Sequence, residues 1–299
     1  MPELPEVETV KRGLNKLIVG KTITNISYDW PKSFPNSQDD IASFAYGAKV
    51  TNVRRRAKVL MIDLSTNYTF VIHLKMTGQL VYVGAQKNKN TTKNRFGAGH
   101  PNDSLIGQLP DKSTRVITTF NDGSVLFFND QRKFGWMKFM PTLEVKTLPF
   151  FEKVGPEPLE DTFSADLLNK RLSKRPNTTI KAALLDQSVL AGIGNIYADE
   201  SLFGANIHPA STVKKVPKMH INKLHKEIID VLNLSIQKGG STDKNYVNAE
   251  GKKGSYITFA KVFRKEGKPC INNCGNIIIK TKVAGRGTHI CIKCQKKYV

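Results

Sequence analysis

The chain has 299 residues, 39% hydrophobic and 8% aromatic, which is globular composition and, by the usual size prior, about two domains. Lysine and arginine total 46 against 25 aspartates and glutamates, a net charge of +21 that calls for a polyanionic partner. No apolar run approaches the ~20 residues of a membrane span, and Glu3, Glu6 and Glu8 stand where a secretory leader would be basic and then apolar, so a cytoplasmic protein without membrane contact is expected.

Val7, Val10, Leu14, Leu17 and Ile18 recur at helical spacing, so residues 2–18 read as a short helix behind Pro2 and Pro5. From Lys21 to Phe139 the pattern becomes that of strands: Thr22–Tyr28, Ala48–Val53, Lys58–Leu64, Thr69–Met76, Val116–Phe120 and Ser124–Phe128. Asn121-Asp122-Gly123 marks a hairpin between the last two. Many short strands with few helices suggest a sandwich or barrel. Gly84–Lys112, rich in Asn, Lys and Gly and without period, reads as a long mobile loop. Pro141 to Pro158 reads as a linker. Helices follow at Ala165–Leu172, Thr178–Asp186, Ile196–Phe203 and Lys218–Lys238, the last stopped by Gly239-Gly240. A polar connection over 241–268 precedes the final module.

All four cysteines lie in the last 30 residues. Cys270-x3-Cys274 and Cys291-x2-Cys294 fit one tetrahedral zinc ion held by four thiolates, with disulfides or free thiols as the other possibilities. Four sulfur ligands leave no open position, so such a zinc is structural. His289 is a conceivable alternative ligand. Ile277–Lys280 and Thr288–Ile290 are strand-like, and Ala284-Gly285-Arg286-Gly287 reads as the hairpin tip, where an arginine between glycines can approach a phosphate closely. Gly192 and Gly194, in the turn Leu190–Tyr197, allow close backbone approach before a helix N-terminus that suits an anion, although a glycine helix stop reads the same way.

The start, Met1-Pro2-Glu3-Leu4-Pro5-Glu6-Val7-Glu8-Thr9, is the most specific stretch. Once Met1 is removed, Pro2 carries a secondary amine able to attack a sugar carbon or an aldehyde, and the resulting iminium is an electron sink. Glu3 lies beside it and can move protons. The plainer reading is a proline-rich approach to a helix, with Glu6 and Glu8 at the positive end of its dipole.

That start, the runs His73-Leu74-Lys75-Met76-Thr77-Gly78 and Asn129-Asp130-Gln131-Arg132-Lys133-Phe134-Gly135, the turn through Asn195-Ile196-Tyr197 and the terminal cysteines occur in one order over nearly the whole chain. Together they resemble the formamidopyrimidine-DNA glycosylase (Fpg) family. The resemblance implies an α+β multidomain fold. A catalytic β-sandwich with a leading helix would span 1–140, a linker 141–158, a helix-two-turn-helix domain 159–240, a lesion-capping loop and connection 241–268, and a zinc-finger β-hairpin 269–299. It implies a monomer with one structural Zn²⁺ that holds double-stranded DNA between its domains and follows the nucleoid through DNA binding.

It also implies roles. Pro2 is the nucleophile toward C1′, Glu3 the acid/base, Lys58 a lysine on the lesion or its phosphate, and Glu6 a supporting carboxylate. Met76, Arg132 and Phe134 enter the duplex: Met76 fills the void, Phe134 wedges between base steps, and Arg132 bonds the orphaned base. Residues 132 and 134, at i and i+2, point the same way in an extended segment. Outside the family reading, Met76 and Phe134 are core residues and Arg54-Arg55-Arg56 is a basic strand end. His73, Lys181, Asn195 and Arg286 match phosphate contacts. Thr242, Lys244 and Tyr246 match the lesion loop.

The chain departs from the family in the x3 spacing of its first cysteine pair, in Asp243 where an aliphatic residue is usual, in the length of 84–112, and in Pro110–Thr114, which lacks the usual histidines. The activity implied is excision of oxidised purines followed by β- and δ-elimination. The alternatives are an endonuclease VIII-like enzyme for oxidised pyrimidines and a non-catalytic DNA-binding protein on the same scaffold.

Overall fold

The computed structural model describes residues 2–85, 95–100, 103–241 and 256–299. They form two compact units. The first takes the described residues of Met1–Glu152 and Lys238–Ser255, the second those of Lys153–Gln237 and Tyr256–Val299.

The first unit opens with α1 (Leu4–Ile18), whose Leu4, Val7, Val10, Leu14 and Ile18 form one buried face. A capping box starts it: Glu3 is the N-cap, and its N–H donates to Glu6 Oε2 at 2.8 Å. After β1 (Ile23–Tyr28) and α2 (Gln38–Phe44) come β2 (Val50–Arg56), β3 (Val59–Leu64), β4 (Tyr68–His73), β5 (Gly78–Val83), β6 (Arg95–Gly99), β7 (Thr114–Phe120), β8 (Val125–Asp130) and β9 (Trp136–Pro141), then the short α3 (Pro149–Lys153). The strands form two antiparallel sheets, of order β1-β7-β8-β5-β6 and β2-β3-β4-β9. Alternate side chains of both sheets, among them Leu80, Val116 and Phe128 from one and Leu60, Ile72 and Phe139 from the other, share one core with α1. This is the expected sandwich with its leading helix.

Three strands differ from the sequence reading. β5 follows a sharp turn at Lys75-Met76-Thr77, whose first two residues had read as the end of the strand before it. β9 runs into Pro141, which had read as linker. β6 corrects the expected loop at Gly84–Lys112: Arg95–Gly99 pairs with β5 from Val83↔Arg95 to Gln79↔Gly99, while residues 86–94 and 101–102 of that stretch lie outside the described residues. The glycines that hid β6 are required by packing. Gly99 has φ +127, and a Cβ there would lie 2.5 Å from the Gly78 carbonyl oxygen. Phe96 in turn packs on Gly13 of α1, where a Cβ would meet its ring at 2.1 Å.

The second unit holds α4 (Ala165–Leu172), α5 (Ile180–Leu185), α6 (Asn195–Gly204), α7 (Lys218–Gln237), α8 (Tyr256–Phe259) and the hairpin β10 (Ile279–Val283) and β11 (Arg286–Ile290). Ser164 and Thr179 cap α4 and α5 by accepting from Leu167 N and Ala182 N. Ile221, Leu224, Ile228 and Leu232 form the buried face of α7, and Tyr197 of α6 meets Ser235 of α7 through their hydroxyls at 2.6 Å. The buried Glu200 carboxylate accepts the N–H groups of Lys261, Val262 and Phe263, fixing the chain after α8. Among the described residues no helix is long and apolar enough to cross a membrane.

Candidate active site and nucleic-acid interface

In the first unit, strand register brings the expected residues to one end of the sandwich. Across the four-stranded sheet the pairs Arg56↔Val59, Val59↔His73 and His73↔Trp136 form one row. Lys58 therefore sits in the β2–β3 turn, His73 ends β4, and Phe134 precedes β9 at the same edge. In the other sheet Gly78 pairs with Asp130, which puts Met76-Thr77 and Gln131-Arg132 at this end too. α1 runs along β2, with Asn15 Oδ1 accepting from Val53 N at 3.2 Å and Glu8 accepting from Arg55 Nε at 3.0 Å. That direction aims Pro2 and Glu3 toward the Lys58 turn.

Lys58 is only 5% exposed and follows Ala57, which holds φ +51. Arg55 fixes this turn by donating to the Ala57 carbonyl at 2.9 Å as well as to Glu8. Burial pushes the Glu8 carboxyl up, but the hydrogen bonds from Arg12 and Arg55 outweigh it and hold Glu8 below the ordinary carboxylate range. Glu8, read from sequence as a helix-dipole residue, thus couples the start of α1 to the Lys58 turn. Glu6 has a second task, since its Oε1 accepts the Ser241 N–H at 2.8 Å. It ties the N-cap to the last residue before the 242–255 segment. Pro2, Glu3 and Glu6 are all buried.

Met76 is 40% and Phe134 54% exposed, so neither is the core residue that composition alone suggested. The Arg132 guanidinium lies over the Phe134 ring at 4.7 Å. The two share a direction, but through a turn with Lys133 at φ +57 rather than an extended segment. Asp130, buried at the base of that turn, accepts from Gly135 N at 2.6 Å, from Arg132 N at 3.2 Å and from the Thr77 hydroxyl.

His73 Nδ1 accepts the Lys75 N–H at 3.0 Å, which leaves the ring proton on Nε2. Its ring packs beside Trp136 and Phe150. Burial, then the charges of Lys75 and Lys58, push its pKa down to about 3. His73 therefore offers a neutral N–H donor rather than a cation. Across pH 5–8 its imidazole ¹⁵N shifts are expected to stay those of the Nε2–H tautomer, and an inflection in that window would contradict this. The linkage sign is fixed: the unfolded chain takes up this proton near pH 6.5 and the folded one only near 3. His73 consequently withdraws stability as pH falls through that interval.

In the second unit, Lys181 corrects a sequence expectation. It is fully buried, and its ammonium donates to Asp199 Oδ1 at 2.6 Å, Thr288 Oγ1 at 2.8 Å and the Gly287 carbonyl at 3.2 Å. A side chain so enclosed holds the hairpin against α6 and does not reach a phosphate. Asn195, the first residue of α6, donates from Nδ2 to the same Gly287 carbonyl at 3.0 Å. Gly194, the N-cap, supplies no side chain to cap α6. Arg286 is exposed and opens β11 opposite Val283; the turn itself is Ala284-Gly285, both with positive φ, one residue earlier than the sequence suggested.

The four cysteine Sγ atoms lie within 4.8 Å of one another, with Cys270–Cys294 at 3.7 Å and Cys274–Cys291 at 3.5 Å. Four thiolates about 2.3 Å from one tetrahedral zinc would stand roughly 3.75 Å apart, whereas a disulfide requires about 2.05 Å. The cluster fits the metal and excludes the disulfide reading. His289 is no ligand: its ring faces Asp199 and Glu266, with Nε2 3.3 Å from Glu266 Oε2.

Comparison with known proteins agrees with this geometry. The formamidopyrimidine-DNA glycosylase N-terminal domain matches residues 1–137, and the H2TH domain of the same enzymes matches 154–246. The chain belongs to the formamidopyrimidine-DNA glycosylase family. A zinc finger found in Fpg and IleRS matches 267–297, in accord with the cysteine cluster, and the chain carries one structural zinc site. The formamidopyrimidine-DNA glycosylase of Bacillus licheniformis is 42% identical, covering 99% of this chain and 100% of that protein. That of Bacillus subtilis is 39% identical with the same coverage. Among solved structures, Lactococcus lactis Fpg bound to DNA with an abasic site superposes with TM-score 0.84 at 33% identity, covering 99% of this chain and 100% of that one. The wild-type Lactococcus lactis Fpg with DNA containing N7-benzyl-Fapy-dG gives 0.83 at 33% identity and the same coverage. Within this Fpg frame, Glu8, Arg55, Arg115 and Asp130 are the residues that sequence reading gave no role in the site. Glu8 and Asp130 stood inside the quoted family runs, and Arg55 and Arg115 just outside the expected strands, with no pattern to mark them as supports. The expected lesion-loop residues Thr242, Lys244 and Tyr246 lie outside the described residues.

Proposed function

We propose that this Fpg-family chain is a base-excision DNA glycosylase with an associated abasic-site lyase activity, acting on 8-oxoguanine and formamidopyrimidines in duplex DNA. The observation that carries this reading is the row at one sandwich end: Lys58, His73, Met76 and Arg132–Phe134, with α1 delivering Pro2 and Glu3 toward it. After loss of Met1, the Pro2 nitrogen lone pair forms a bond to C1′ of the extruded nucleoside. The C1′–base bond breaks, and the base leaves with the bonding pair and takes up the proton that the Pro2 nitrogen sheds. Glu3 protonates the ring oxygen, the sugar opens, and an iminium joins Pro2 to C1′. That cation acidifies C2′–H, so β-elimination expels the 3′-phosphate and δ-elimination the 5′-phosphate, leaving a one-nucleotide gap. Glu6 holds the Glu3 backbone, and Lys58 and His73 bind the lesion's phosphates. Asn195 and Arg286 are a second phosphate set, and the zinc hairpin carries the latter. A protein acting on the genome works in the cytoplasm, at the nucleoid.

A lesion-panel nicking assay with end-group analysis tests the reading. Faster cleavage at oxidised purines with phosphate at both ends is expected. Preference for oxidised pyrimidines would move the protein to the endonuclease VIII type, and binding without nicking would leave only a DNA-binding scaffold. If about six phosphates are neutralised, log affinity falls against log salt with a slope near −5. A slope near zero, measured by anisotropy on an uncleavable duplex, would contradict the electrostatic footprint.

A further inference from the structure

Arg115 is the most enclosed arginine at the candidate end of the sandwich, 3% exposed. It sits where the β7–β8 register shifts between Thr114 and Val116, and such a bulge turns a side chain away from its regular direction. The guanidinium is fully committed. Nε donates to the Asp130 carbonyl at 3.1 Å, and the two terminal nitrogens reach the Asp29 carboxylate and the Lys112 carbonyl. Asp130 is held again by its own N–H, which donates to the Ser113 carbonyl at 2.7 Å. Its carboxylate then binds Thr77 on one turn and Arg132 N and Gly135 N on the other, and Arg132 N also reaches Thr77 Oγ1 at 3.1 Å.

These two turns expose Met76, Arg132 and Phe134, and each bends through a lysine at positive φ, Lys75 at +51 and Lys133 at +57. Such backbone conformations persist only where the surroundings impose them. We propose that Arg115 and Asp130 are positioning residues for base extrusion: the Asp29–Arg115–Asp130 relay locks both turns in one register, so that the filler, the orphan-base donor and the wedge enter the duplex as one body. The inference rests on the proposed glycosylase reading.

The experiment compares two substrates. Excision of 8-oxoguanine from a duplex needs the stack opened and the orphaned base held. Cleavage of an abasic site in single-stranded DNA needs neither. Arg115→Lys keeps the charge, but one ammonium cannot span the three acceptors. Asp130→Asn turns an amide toward an N–H. Each is expected to lower single-turnover duplex excision between about 10- and 100-fold, the scale of a small misplacement. The fluorescence rise of a 2-aminopurine beside the lesion should fall in parallel, while borohydride trapping on the single-stranded substrate stays within about twofold. Thr77→Val removes one hydroxyl from the staple and should give the same pattern more weakly, which keeps the test open if a stronger variant unfolds. Equal losses on both substrates, or unchanged duplex excision, overturn the proposal. A wild-type protein inactive on both would instead defeat the glycosylase reading.

Discussion

Protein that retains a residue ahead of Pro2 is expected to form no borohydride-trapped adduct with an abasic duplex. The cause is electronic. An amide nitrogen has its lone pair delocalised into the carbonyl, whereas a free α-amino nitrogen with pKa near 8 is about one-tenth unprotonated at neutral pH. A glycine inserted between Met1 and Pro2 provides the test, because it displaces any amine by a full residue, about 3.8 Å. Adduct at the wild-type level would eliminate Pro2 as nucleophile. Glu3→Gln separates the two chemical stages. It keeps the size of the side chain and its N-cap position but cannot give a proton to the sugar ring oxygen, so excision of 8-oxoguanine should fall about 10²–10⁴-fold. A preformed abasic site already presents an aldehyde, with no base to expel. Trapping there should persist, and parallel loss of both activities would show that Glu3 acts on the fold rather than on the proton.

Periodicity carried much of the architecture. Helix α4 was legible to the residue, because Ser164 caps it and its apolar spacing is regular. Strand β6 was not, since Gly97 and Gly99 serve contacts with Leu105 and Gly78 that no local pattern announces. At the site, residue type could not report exposure. Met76 and Phe134 look like core and stand outside, while Lys181 looks like a phosphate contact and lies wholly inside. The supports were hidden by distance along the chain: Thr77 meets Asp130 across 53 positions, and Arg115 meets Asp29 across 86. The cysteines escaped this limit, because paired thiolates at chelating spacing carry their geometry in the spacing itself.

Zinc removal should therefore act on DNA binding rather than on the chemistry directly. Besides zinc, the hairpin is held by a small cluster of Phe203, Val262 and Ile278 around Cys270 and Cys291 and by the polar contacts of Gly287, Thr288 and His289 with Lys181, Asn195 and Asp199. Zinc contributes about 10–16 kcal/mol in isolated fingers, as much as a whole domain's stability. Without it those contacts alone are expected to be too few to keep β10 and β11 paired. Arg286 loses its position, Asn195 loses the Gly287 carbonyl, and the Lys181–Asp199 pair loses the Thr288 and Gly287 groups that complete it. Leaving buried donors without their acceptors in this way is costly, about 1–3 kcal/mol for each unsatisfied group. Stoichiometric release of one zinc per chain, by chelator or in Cys291→Ser, should thus lower affinity for an uncleavable abasic-analogue duplex at least about 100-fold, the equivalent of 2.7 kcal/mol. Amide exchange protection over β10 and β11 should vanish while that of β2–β4, in the other unit, survives. Undiminished affinity after complete metal loss would mean that the hairpin folds unaided and that the four thiolates are not what fixes Arg286.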